Sequence, residues 1–223
     1  MYAILAGQLV VTAGSVALFG TQPALRQWTV AGNGATVPII SLVISTVAWA
    51  VMCASSDARR KAPLKWWLLG IFTLGEAVSV GFISSFYVYR SVISAMLTTA
   101  AATTSVSLYT VFQRNAKYDL TQWGAGLSSC AMIFLVYGII GLLQTLGIIP
   151  ATFLPYNDAI YSFIGASLFS FYLAHHTKLI TAGKHAKYQM SEKDYVFGAM
   201  TLYNDIINMF IYILRIIGED RER

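Results

Sequence analysis

Charge is what this chain has least of. Asp, Glu, Lys and Arg make up 11% of its 223 residues, where a soluble domain carries about 25%. Such a chain cannot coat a water-facing surface, which excludes a soluble enzyme or binding module. Histidine occurs three times and cysteine twice. Those counts give no multi-histidine metal centre and no disulfide framework; Cys53 and Cys130 fall in apolar runs and read as small buried hydrophobes. There is no His-Glu-x-x-His pattern and no Walker loop. The last apolar segment has no lysine for a Schiff base, as a retinal protein would need. No nucleophile–base arrangement is visible, so the chain is read as a non-enzyme without a cofactor. Internal repeats and low-complexity stretches are missing as well.

Apolar residues are what remains. They make up 57% of the sequence, and the mean hydropathy is +0.62. In lipid, every backbone N–H and C=O must bond within the protein, so only helices or closed barrels cross. The apolar runs are about 20 residues long, the length of a spanning helix, whereas barrel strands are about 10 residues with strict alternation. The chain is therefore read as an all-α integral membrane protein with about seven spans. These run from Met1 to Gly20, Val37 to Ala54, Trp66 to Phe86, Ser91 to Phe112, Trp123 to Leu143, Ala159 to Ala174 and Tyr195 to Ile217. The first lacks the basic n-region of a signal peptide and is read as retained. Residues 1–217 form one membrane domain and 218–223 a short charged tail.

The formal net charge is +5. The basic residues lie between apolar runs, so they are read as orienting the chain in a bilayer, with no nucleic-acid partner. Ten of them (Arg59, Arg60, Lys61, Lys65, Arg114, Lys117, Lys178, Lys184, Lys187 and Lys193) follow spans two, four and six, against Arg26 and Arg90 on the other side. The positive-inside bias makes the ten-charge side cytosolic, and the N-terminus with it. The side of the C-terminus stays open: seven crossings put it opposite, a re-entrant last segment returns it.

Ionisable groups within spans are costly and face a bundle interior or a watery cavity. Asp205 in span seven and Glu76 in span three are the clear cases. Asn204 and Asn208 accompany Asp205, with Tyr203 adjacent, so span seven is read as enclosed by protein. A purely structural hydrogen-bond cluster remains the alternative for Asp205, and a buried salt bridge for Glu76. Gly75 and Ala77 flank Glu76 and permit close helix approach. His175 and His176 end span six, either as interfacial groups or as a pH-responsive contact of one of them with Asp205. Ala95, Thr99, Thr103 and Ser107 recur every four residues, a ridge suited to packing in lipid or to a polar lining.

Leu202-Tyr203-Asn204-Asp205-Ile206-Ile207-Asn208-Met209-Phe210 resembles the Leu-Tyr-Leu-Asp-Ile-Ile-Asn-Leu-Phe signature of the Bax inhibitor-1 family, especially its lifeguard branch. Phe72-Thr73-Leu74-Gly75-Glu76, Met96-Leu97-Thr98-Thr99-Ala100-Ala101, Trp123-Gly124-Ala125-Gly126-Leu127 and Tyr2-Ala3-Ile4-Leu5 with Gln8-Leu9 resemble other family segments. The likeness covers nearly the whole chain, although lifeguard members commonly carry a tail before their first span. It implies six helices around a central seventh. It also implies a pH-sensitive calcium leak in intracellular membranes, endoplasmic reticulum or Golgi, with suppression of cell death.

By position, Asp205 matches the family's span-seven aspartate, one of a gating carboxylate pair, and becomes the expected calcium contact. The second member, in the family's Tyr-Asp-Thr-Gln, is replaced here: the aligned residues are His175-His176-Thr177-Lys178. Two carboxylates resist joint ionisation, whereas a His–Asp pair favours the doubly charged form. His176 is thus expected as a modified gate, with Lys178 adding positive charge. The expected function is a cation (calcium) leak channel, with Asp205, Glu76, His176, Asn208 and Asn204 on the pathway and calcium as the permeant ion. The alternative is a non-conducting scaffold. Expected partners are the lipid bilayer and apoptosis regulators or calcium channels in the same membrane.

Overall fold

The computed structural model describes residues 1–22, 24–25, 27, 36–113, 120–145, 147–150, 157–181 and 190–221. Arg26, Arg114, Lys117, Lys184 and Lys187, used above for orientation, lie outside the described residues. Eight α-helices are present among the described residues: α1 Tyr2–Thr21, α2 Thr36–Ala54, α3 Ser56–Arg60, α4 Leu64–Ser85, α5 Tyr89–Phe112, α6 Gly124–Thr145, α7 Asp158–Thr181 and α8 Tyr195–Ile217. No strand occurs among them, only an isolated bridge between Tyr87 and Asp220.

Six of these helices (all but α3 and α7) are long and apolar enough to cross a membrane. The sixth expected span, α7, has the length at 24 residues, but Asp158, His175, His176 and Lys178 lower its hydropathy. It also runs past Ala174 to Thr181, because a polar end can stay helical after the apolar run stops. Apolar side chains such as Val10, Ile39, Val43, Met132 and Ile133 point outward without protein cover, as bilayer-facing surface does. Cys130 on α6 is exposed in the same way, while Cys53 is half-buried. The burial expected for Cys130 is therefore corrected: its run is apolar because it meets lipid, not a protein core. By contrast, 72% of the most apolar stretch of α8 is buried, against 11% for α6. The polar residues of α8 are kept from lipid in this way.

The chain divides into two compact units. The first holds residues 1–94, 190–207 and 218–223; the second holds 95–189 and 208–217. In the first unit, α4 packs against both α1 and α2. Gln8 meets Thr73 and Ser15 lies against Gly81, so α1 and α4 run in parallel. Ser45 meets Glu76 and Pro38 meets Ser79, so α2 runs against them.

Both approaches are close. A Cβ on Gly75 would sit 2.7 Å from the Ser41 carbonyl, and one on Gly81 would sit 2.7 Å from the Phe19 ring. The small residue beside Glu76 therefore does what its sequence position suggested.

The start of α8 lies at the start of α4, where Lys65 donates to the Tyr195 hydroxyl at 3.1 Å. After α8 the tail returns to the other end of α4. Val88 N–H donates to Glu219 C=O and Arg221 N–H to Phe86 C=O, each at 2.9 Å. The last helix accordingly travels the way α4 does and does not double back.

The stretch after span two, expected as a basic loop, contains α3. The Ser55 side chain caps it by accepting from Ala58 N–H, with Asp57 in its first turn and Arg59 and Arg60 in its last. That charge order suits the helix dipole, and five residues are too few to show an apolar period.

In the second unit, α7 packs on α6 around Gly165. A Cβ there would meet Phe134 and Tyr212 at 2.8 Å. Phe134 stacks on Tyr161 with ring centroids 4.2 Å apart, and Tyr212 meets Phe134 edge-on at 5.5 Å. Ala95 and Thr99 of the expected ridge are buried, and Thr103 and Ser107 are half-buried, the pattern of a packing face.

Candidate functional site

The first unit encloses a seam of polar side chains within the membrane-spanning length. Gln8 Nε2 donates to Thr73 Oγ1 at 2.9 Å, and Thr73 Oγ1 donates to the Leu69 carbonyl of its own helix. One turn along α1, Thr12 Oγ1 donates to the Gln8 carbonyl. Thr12 Oγ1 and Tyr203 Oη lie 2.6 Å apart, a hydrogen bond in which either hydroxyl can donate. Tyr203 is fully buried and meets Phe72 edge-on at 5.7 Å. Through it α8 touches both α1 and α4. A groove of about 430 Å³ opens beside the Gln8–Thr73 pair and is lined by Gly7, Gly70, Leu69 and Trp66 among others.

Glu76 lies one turn beyond Thr73 on α4 and is 9% exposed. Ser45 Oγ on α2 reaches its Oε1 at 2.7 Å and the Leu42 carbonyl at 2.9 Å. One hydroxyl proton thus faces two acceptors. The buried-salt-bridge alternative for Glu76 finds no support: its hydrogen-bond partner is the Ser45 hydroxyl, and no ion pair among the described residues includes it. Removing this hydroxyl in Ser45→Ala should lower stability by about 1 kcal/mol, within the range for interhelical hydrogen bonds in membranes. Unfolding in mixed micelles measures this, and an unchanged midpoint would show that the contact adds nothing.

Asp205 is 1% exposed. At about 100° per residue it points some 200° round α8 from Tyr203, away from the side chain that meets α1 and α4. Asn208, three residues on, shares its face, and both asparagines are half-buried. Asp205, Asn204 and Glu76 belong to the first unit, whereas Asn208 and His176 belong to the second.

Within the second unit, His176 stacks on Tyr172 with centroids 5.5 Å apart and meets His175 edge-on at 5.4 Å. His175 is buried over Gly124, where a Cβ would come within 3.3 Å of its ring. Lys178 donates to the carbonyls of Gln113 and Thr110. Its charge closes the C-terminal end of α5, where orphan carbonyls and the helix dipole favour a cation.

The seam residues Gln8, Thr12, Ser45, Thr73 and the ring of Tyr203 were not singled out in the sequence as site residues. Their hydroxyls and amide are common in helices, and nothing in one sequence says which of them meet. Gln8, Thr73 and Tyr203 stood out there only as members of the segments that resemble the family.

A model of the family described as "Inhibitor of apoptosis-promoting Bax1" matches residues 1–222. "Protein lifeguard 3" of Mus musculus is 30% identical over 223 residues, covering 98% of this chain and 67% of its own length. The Homo sapiens protein of that name is 30% identical over 224 residues with the same coverage. The "Golgi anti-apoptotic protein" of Vaccinia virus (strain Lister) is 26% identical over 220 residues, covering 97% of this chain and 82% of its own. With this match along nearly its whole length, and with its polar groups enclosed by bare apolar helices, the chain belongs to the Bax inhibitor-1 family as a multi-pass membrane protein with lifeguard proteins among its relatives.

Proposed function

We infer that this protein is an anti-apoptotic membrane protein that acts as a calcium leak in the Golgi or endoplasmic reticulum membrane, its N-terminus on the cytosolic side. The observation that carries the leak is Asp205: a carboxylate 1% exposed in the most enclosed spanning helix. Intramembrane carboxylates are expensive and mark ion pathways. The names of the family and of the vaccinia relative support the anti-apoptotic role and the Golgi. Glu76 is the second intramembrane acid of this reading, Asn204 and Asn208 flank the pathway, and His176 is its modified gate.

The test is calcium entry into liposomes containing the purified full chain, followed between about pH 5 and 8, the range over which histidine titrates. Wild type should admit calcium, and Asp205→Asn should fall to the level of protein-free liposomes while eluting as a folded monodisperse species. His176→Asp should change the pH profile, because it puts a carboxylate where the resemblance to the family expects one. Wild-type protein that is folded yet admits no calcium at any pH overturns the leak. The protein is then a non-conducting scaffold for apoptosis regulators or calcium channels of the same membrane.

A further inference from the structure

One end of the first unit gathers charge that is only partly neutralised. Around the junction of α3, α4 and α8 lie the cations Arg59, Arg60, Lys61, Lys65 and Lys193 and the carboxylates Asp57, Glu192 and Asp194. Arg60 binds Asp194 with both ends of its fork, at 2.9 and 3.1 Å. Lys61 pairs with Asp57 at 2.7 Å.

Arg59 and Lys65 have no carboxylate in ion-pair range among the described residues. Both are instead held by aromatic rings at the start of α8. The Arg59 guanidinium lies 5.2 Å over Phe197, and its Nε is buried without a hydrogen-bond partner. Lys65 Nζ lies 4.7 Å over Tyr195 and 5.6 Å over Trp66. A ring attracts a cation without cancelling its charge, so two positive charges are fixed in place, that of Arg59 offset only in part by the Asp194 carboxylate, which Arg60 already pairs. Trp66 and Trp67 beside them are 45% and 69% exposed, as aromatic residues are where a spanning helix enters the headgroup layer.

We propose that Arg59 and Lys65 form a docking site for the headgroup of an anionic phospholipid, with Trp66 and Trp67 seated among the neighbouring lipids. The chemistry recognised is a phosphate-bearing anion. The tryptophans and the adjoining bare apolar face of α4 select its membrane-borne form over a soluble one. The site ties a lipid to the first turn of α8, the helix that carries Asp205, and so extends beyond the leak itself.

The full chain is reconstituted in nanodiscs of equal parts phosphatidylserine and phosphatidylcholine, released, and analysed for retained lipid by native mass spectrometry. Wild type should retain phosphatidylserine preferentially. Arg59→Gln and Lys65→Gln should each lower the phosphatidylserine-to-phosphatidylcholine ratio about fivefold, and the double variant about 30-fold, the scale of one and two surface cations acting on anionic lipid.

Lys61→Gln and Lys193→Gln should leave the ratio within about twofold, because Lys61 is already paired and Lys193 is exposed outside the aromatic cage. The charge-keeping pair Arg59→Lys and Lys65→Arg should retain the preference even if the glutamine variants fold poorly. An equal loss in the Lys61 and Lys193 controls would show diffuse attraction to the whole surface and overturn the site. Displacement of the lipid by millimolar inorganic phosphate would show a soluble-anion site and overturn the assignment to lipid.

Discussion

Gly75→Leu should destabilise the protein by about 3 kcal/mol, the upper part of the range for overpacking a closed interface. A Cβ alone at this position would lie 2.7 Å from the Ser41 carbonyl oxygen and 2.8 Å from Ser45 Cβ. Neither can swing aside, since one is backbone and the other is the first atom of its side chain. Helices α2 and α4 would have to part, and the Ser45–Glu76 hydrogen bond would part with them. In lipid no hydrophobic force pulls helices together, so close packing and hydrogen bonds carry the association. Gly70→Ala is the matching control, because its Cβ would meet nothing within 4 Å. It should be neutral, or stabilising by up to about 1 kcal/mol from helix propensity. Unfolding midpoints in mixed micelles separate the two, and an equal cost for both would refute the close α2–α4 approach.

The second large effect is expected at Tyr203. Tyr203→Ala should cost about 2 to 4 kcal/mol, below the most severe aromatic deletions in soluble cores. The discount arises because an unfolded membrane chain already keeps its side chains in hydrocarbon, which removes the water-transfer part of the loss. What remains is the cavity beside Phe72 and the bond to Thr12. Tyr203→Phe isolates that bond and should cost about 0.6 kcal/mol, at most about 1.7. If Tyr203→Phe proved as harmful as Tyr203→Ala, the ring would be contributing nothing through packing.

The helices were legible in the sequence because bilayer thickness dictates long uniform apolar runs; the first expected span, from Met1 to Gly20, stands as Tyr2–Thr21. The last, from Tyr195 to Ile217, coincides with α8. Legibility fails where apolarity stops being the signal. The turn of helix at Ser56–Arg60 is set by a serine cap and its charges, and α7 continues through His175, His176 and Lys178 after its apolar run ends. Asp205 and Glu76 were legible as candidates because charge is rare in such runs.

Their surroundings were not. Gln8 and Thr73 are separated by 65 residues and Thr12 and Tyr203 by 191. A pairing at such a distance is fixed by how helices stack, which no local pattern records. Lys178 looked like charge added to a gate, and its position at the α5 carbonyls could be seen only once α5 and α7 were side by side.

The Thr73 hydroxyl proton bears on how the seam handles hydrogen ions. Relay along a Grotthuss wire requires each hydroxyl to pass a proton to the next oxygen in line. Thr73 instead directs its own to a backbone carbonyl of its own helix, and a carbonyl has no proton to hand on. Gln8 donates an amide N–H to Thr73, and an amide does not pass a proton along as a hydroxyl does. The row of polar groups joining α1, α4 and α8 thus latches helices together, with the Gln8 amide and the carbonyl-bound Thr73 hydroxyl as breaks in any proton wire along it.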